Sequence, residues 1–85
     1  MVKVLNVEVM CPSTSRSYDY KIPPSMKVGD IKKRIINDIR LYEGLPDLFG
    51  DEESVGIYSE SRCRLNDEAV LGGAGIKSGD RIMII

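Results

Sequence analysis

Between Pro24 and Pro46 the chain carries one apolar stripe, and that stripe limits what the rest can build. Val28, Ile31, Ile35, Ile39 and Tyr42 fall at steps of three, four, four and three, with Ile36 widening the band. Such spacing puts them on one face of an α-helix. Gly44 stands where a left-handed residue ends a helix, and Pro46 forbids continuation. Gly29 in the first turn costs about 1 kcal/mol relative to Ala, so tertiary packing must supply most of this helix's stability. The opposite face carries Lys32, Lys33, Asn37 and Arg40. Asp30 precedes Arg34 by four residues, an acid-first pair worth about 0.2–0.5 kcal/mol. A single helix with a single stripe needs one sheet face to cover it.

The flanking segments supply that sheet. Over residues 2–10, Leu5, Val7 and Val9 alternate with Asn6 and Glu8, the period of a half-buried strand. Cys11-Pro12-Ser13-Thr14-Ser15 reads as a turn. Tyr18, Tyr20 and Ile22 then alternate with Ser17, Asp19 and Lys21, which makes the second strand of a hairpin. After the helix, residues 46–54 form a loop with an acidic cluster at Asp51, Glu52 and Glu53. Residues 55–58 read as a third strand, with a very short one at 63–65. One helical turn is expected at 69–71, before Gly72-Gly73. Gly79-Asp80 is a turn, and residues 81–85 are the last strand. That strand is apolar except at Arg81, as a buried central strand is. It is expected to pair in parallel with the first strand under a right-handed helical crossover. The order is β-β-α-β-β, with four to five strands in a mixed sheet on one helix. The class is α+β and the layout is a β-grasp, in a single domain over 1–85.

Composition removes several function classes. With 12 Lys+Arg against 13 Asp+Glu, the 85-residue chain lacks the basic excess of a nucleic-acid coat protein. It contains no His, which removes the commonest general base and metal ligand. Cys11 and Cys63 stand far apart without a C-x-x-C motif and read as reduced, non-catalytic thiols, with a single structural disulfide as the alternative. The longest apolar run, Ile82 to Ile85, is far short of the roughly 18 residues of a membrane span. The N-terminus has no signal-peptide core, because Asn6 and Glu8 interrupt it. A cytoplasmic, non-enzymatic protein with no cofactor and no membrane insertion is the expectation.

Pro24-Ser25-Met26-Lys27-Val28, with Ile31 and Ile35 following at helical spacing, resembles the start of the ubiquitin helix. Glu43-Gly44-Leu45-Pro46 is similar to the segment that follows that helix. Leu65, Asp67 and Leu71, then Gly75-Ile76-Lys77, Gly79-Asp80, Ile82 and Ile84, resemble the C-terminal half of ubiquitin-like domains. Within that superfamily the resemblance is to the bacterial YukD/EsaB-like group, small accessory proteins of type VII (WXG-type) secretion. It lies in Tyr18-Asp19-Tyr20-Lys21-Ile22-Pro23 and in Gly75 to Asp80. The resemblance implies a protein-interaction module whose partners are secretion-machinery ATPase or membrane subunits.

Ubiquitin and sulfur-carrier relatives act through a free Gly-Gly tail. Here Gly72-Gly73 is internal and Ile82 to Ile85 fall inside a predicted strand, so conjugation is not expected. Two alternatives are carried forward: a ubiquitin-like domain of a larger protein, or a carrier whose tail is not part of this sequence. Gly72 to Ser78 lacks the contiguous Gly-Lys-Ser of a phosphate loop and reads as turn glycines. The run Asp51-Glu52-Glu53 lacks the alternating ligand spacing of a calcium loop and reads as solvated. The basic helix face, with Lys27 at its start, has no aromatic platform for nucleic acid. The outer sheet face is the binding candidate. If Ile82 and Ile84 point at the helix, Met83 and Ile85 point away, as does Tyr58 if Val55 and Ile57 point inward. Arg62, Arg64 and Lys77 are expected on its rim. The patch serves a protein partner or closes a homodimer.

Overall fold

Two seven-residue strands on either side of a tight turn open the fold. In this computed structural model, which describes residues 3–85, β1 (Leu5–Cys11) and β2 (Arg16–Ile22) pair antiparallel, from Leu5 opposite Ile22 to Cys11 opposite Arg16. Val2, placed in the first strand by sequence, lies outside the described residues. Leu5, Val7, Val9 and Cys11 are buried, so the alternation expected of a half-buried strand holds. Cys11 belongs to the strand rather than to the turn. The turn is closed by Thr14 N–H donating to the Cys11 carbonyl at 3.2 Å and Ser15 N–H to that of Pro12.

Helix α1 spans Val28–Glu43 and ends at Gly44, whose φ of +68° is the left-handed stop. Val28, Ile31, Ile35, Ile36 and Ile39 are fully buried against the sheet. The stripe ends there, because Tyr42 is 73% exposed and sets its ring edge-on to that of Tyr18. Arg34 sits 4.0 Å from Asp38, the residue four positions after it, instead of pairing with Asp30.

The start of α1 is held from outside. Lys27 makes no side-chain cap. Instead, Val28 N–H donates to the Ala69 carbonyl at 2.8 Å and Gly29 N–H to that of Asp67 at 2.9 Å. Two of the orphan donors of a helix N-terminus are thereby satisfied. A Cβ on Gly29 would approach the Asp67 carbonyl to 3.2 Å, so the glycine that weakens the helix locally is what admits this strand of chain. Leu71 N–H to Met26 O and Gly72 N–H to Pro24 O extend the zipper. Lys32, assigned by sequence to the solvent face, is only 5% exposed beneath it. Its ammonium lies 2.8 Å from Asp67 Oδ2.

Arg40 is likewise engaged. It donates to the carbonyls of Leu48 and Gly50 and to Glu52 Oε1, which folds the acidic loop back on the helix. Within that loop Asp51 caps a short 3-10 turn, Glu52–Ser54. The third strand, β3, is Ile57–Ser59, shifted from the expected 55–58. The short strand expected at 63–65 reduces to one bridge between Tyr58 and Arg64. The helical turn expected at 69–71 falls on Gly72–Ala74, where a Cβ at Gly72 would come 2.9 Å from Pro24 Cβ. The internal Gly-Gly is therefore a packing feature. β4 (Arg81–Ile84) completes the sheet in the order β2-β1-β4-β3, with β1 and β4 parallel at its centre. This is the four-stranded mixed sheet on one helix that defines a β-grasp.

The Lys32–Asp67 pair is unequal: the Lys32 side chain is 6% exposed and that of Asp67 39%. Asp67→Ala strands a buried charge and is expected to cost about 3 kcal/mol. Lys32→Met keeps the stem packing and should cost about 1 kcal/mol. Urea unfolding midpoints check that order. A second expectation concerns pH. Burial first, and then the Asp38 carboxylate accepting from its hydroxyl at 3.0 Å, push the Tyr20 phenol well above its ordinary value. Burial raises Tyr18 as well. A folded pKa above the unfolded one contributes stability that is complete below about pH 10 and lost as pH rises further. Unfolding free energy should therefore fall above pH 10, and Tyr20→Phe should flatten that fall.

Candidate functional site

β4 sorts its side chains by period two. Ile82 and Ile84 are buried under α1, which sends Met83 and Ile85 to the opposite face. On β3, Ile57 is buried and Tyr58 turns outward, directly across from Met83 in the ladder. On the other side of Met83 its parallel partner is Met10 of β1, itself half-buried. Met10, Met83 and Tyr58 thus form an apolar row across three strands. Ile85 is 53% exposed and continues the face beside Gly56, whose N–H and C=O both bond to its backbone at 2.9 and 3.1 Å. Met10 was legible in the sequence, since it follows Val9 by one residue on the same strand. Only the parallel pairing of β1 with β4 makes it a neighbour of Met83.

The arginines divide. Arg64 lies beside Tyr58: a Cβ on Gly56 would meet Arg64 Nε at 3.0 Å and Tyr58 Cε1 at 3.1 Å, so both side chains cover that glycine. Arg62, held at a φ of +65°, borders a shallow cavity of about 420 Å³ with Met10, Met83, Glu60 and Arg81. Glu60 accepts from the Arg81 backbone N–H at 3.0 Å, and the Arg81 guanidinium pairs with Glu8 at 2.8 Å. That ion pair bounds the apolar row. Lys77 is not part of this rim. It sits in the 77–80 turn, where its backbone N–H donates to Asp80 Oδ2 and Gly79 N–H ties the turn to Asn6. This is the far end of β4, beyond the Arg81–Glu8 pair.

A larger concavity, about 920 Å³, lies elsewhere, between the start of α1 and the loops around Asp51 and Asp67. Its lining mixes Lys27, Lys33 and Arg40 with Asp30, Glu53 and Glu68, beside the Ser25 hydroxyl. The basic helix face is spent in part on internal pairs, since Lys32 and Arg40 are tied to Asp67 and Glu52. Cys11 is buried and Cys63 exposed, both as free thiols. Among the described residues no cluster of His, Cys, Asp and Glu is placed to hold a metal. No described helix is long and apolar enough to cross a membrane.

No family model and no curated protein matches the sequence. Solved structures do. The ubiquitin-like domain of Plasmodium falciparum Dsk2 superposes with a TM-score of 0.73 at 20% identity, covering 96% of each chain. The ubiquitin of Caldiarchaeum subterraneum gives 0.73 at 13% identity, over 98% of this chain and 92% of its own. A ubiquitin-like domain from Arabidopsis thaliana gives 0.72 at 19%, over 99% and 78%. The fold is that of ubiquitin-like domains. At these identities the likeness establishes the fold and leaves the biochemistry to the side chains.

Gly56 offers a direct test of the surface. A methyl group there must displace Arg64 and Tyr58, which are side chains free to move outward. Gly56→Ala is therefore expected to shift the Tyr58 ring resonances in NMR spectra while costing no more than about 1 kcal/mol of stability. A crystal structure of that variant with both side chains unmoved would contradict the packing described.

Proposed function

We propose that this chain is a non-enzymatic protein-interaction module that binds its partner with the outer sheet face. The row of Met10, Met83, Tyr58 and Ile85 carries the reading. Three strands converge to set half-buried Met10, Met83 and Tyr58 beside exposed Ile85, on a sheet whose other face already holds the core. Arg62 and Arg64 at the border suit a partner that presents an apolar anchor beside carboxylates. Methionines adapt to such anchors because their side chains are unbranched and polarizable.

The finer assignment is to the YukD/EsaB-like accessory proteins of bacterial type VII secretion, acting in the cytoplasm on an ATPase or membrane subunit. It is supported by the resemblance over Tyr18 to Pro23 and Gly75 to Asp80. The internal Gly72-Gly73, buttressed against Pro24, fits a module that acts by recognition. A domain of a longer protein is the second reading, favoured by the Plasmodium and Arabidopsis neighbours, which are themselves domains.

Binding to the purified cytosolic domains of a type VII secretion ATPase, measured by calorimetry, tests both levels. The double variant Met83→Glu, Ile85→Lys should weaken binding at least about tenfold, because it places charge at the desolvated centre of the contact. Circular dichroism should show the fold retained. Unaltered binding by the folded double variant overturns the surface. Absence of binding by the unaltered chain overturns the secretion assignment.

A further inference from the structure

The two edges of the sheet are unlike. The outer side of β3 is occupied, with Ser59 N–H donating to the Cys63 carbonyl at 2.9 Å and Leu65 N–H to that of Ile57 at 2.8 Å. β2 is seven residues long, pairs with β1 in unbroken register, and lies at the other edge. Among the described residues its backbone makes no hydrogen bond beyond that pairing. An open edge of this length is a template for another strand unless proline, a bulge or charge guards it. β2 has neither proline nor bulge. Its guards on the outer face are Asp19 and Lys21, both exposed, and neither forms an ion pair among the described residues.

We propose that β2 is a self-association edge, pairing antiparallel with β2 of a second copy to give one continuous sheet across a two-fold axis. Charge complementarity selects both the occupant and the register. Keeping both helices on the same side of the joined sheet requires like faces to oppose, which limits the axis to a residue position. An axis at Asp19 sets the two carboxylates against each other, and one at Tyr18 sets Asp19 against Ser17. An axis at Tyr20 sets each Asp19 against Lys21 of the second copy, twice over. A lone lysine would repel its own copy at an edge. Here a carboxylate two residues away on the same face converts that guard into a matched pair. On the helix side this register brings Tyr18 opposite Ile22 of the second copy. There a cleft of about 300 Å³ between β2 and α1 and the 73%-exposed ring of Tyr42 provide further apolar surface at the seam. The interface leaves β4 and β3 free, so it is separate from the partner surface at Met83 and Tyr58.

Sedimentation equilibrium of the full chain over a wide concentration range at low salt tests the proposal. The unaltered chain should form a dimer. Asp19→Lys and Lys21→Glu should each weaken it about tenfold, since each replaces two attractive cross-strand pairs by two repulsive ones. The double swap should restore it to within about threefold. An equimolar mixture of the two single variants should form a mixed dimer, because every facing pair is then opposite in sign. Met83→Glu should leave association unchanged. Asp19 and Lys21 are exposed and Met83 is half-buried, and circular dichroism checks that each variant is folded. A chain that stays monomeric throughout, a dimer indifferent to the charge swaps, or one abolished by Met83→Glu overturns the proposal. A chain that remains monomeric while its edge captures an unrelated extended peptide overturns it too.

Discussion

The fold depends on a helix whose N-terminus is completed by chain 38 and 41 residues further on, at Asp67 and Ala69. A helix start exposes backbone donors that water or a capping side chain must satisfy. Here the segment from Asp67 to Gly72 runs alongside Pro24 to Gly29 and takes that role with backbone carbonyls. Gly29 leaves the space for it, and Lys32 anchors it through Asp67. Beyond that segment the chain returns to lay β4 beside β1. Among the described residues Asp67 Oδ1 is buried without a hydrogen-bond partner, while Oδ2 takes the Lys32 ammonium.

That placement also determines which surface is free. Once β4 enters the middle of the sheet, Ile82 and Ile84 serve the core and the residues between them have only the other face to occupy. The result is an apolar row bounded by the Arg81–Glu8 pair on one side and by the arginines after β3 on the other. The helix side is different in kind: its 920 Å³ concavity is lined by charges of both signs. Recognition of a protein surface suits the first arrangement, because desolvating apolar groups is favourable while desolvating charges is costly.

Much of the architecture was legible because periodicity is a local signal. The stripe from Val28 to Ile39 and the alternation along β1 and β2 needed no tertiary context. Residues whose environment is set by distant chain were not. Lys32 looks like a solvent residue until Asp67 is brought over it, and Tyr42 continues the stripe in sequence but runs past the edge of the sheet. Cys63 to Leu65 carries too few residues for strand periodicity, and its pairing with β3 amounts to a single bridge. Of the site residues, Tyr58, Met83 and Ile85 followed from alternation. Lys77 is expected on their rim, whereas the 77–80 turn holds it before the start of β4, away from Met83.

The sequence by itself determined one helix, a leading hairpin, a buried last strand and hence a β-grasp, because each rests on spacing within a few residues. It also determined that histidine chemistry is absent. Only the tertiary structure decided that Met10 joins Met83, that Arg40 and Lys32 serve the interior, and that β2, among the described strands, presents an open backbone edge. Those facts depend on which segments lie side by side, and contacts between distant segments leave no period in the sequence to read.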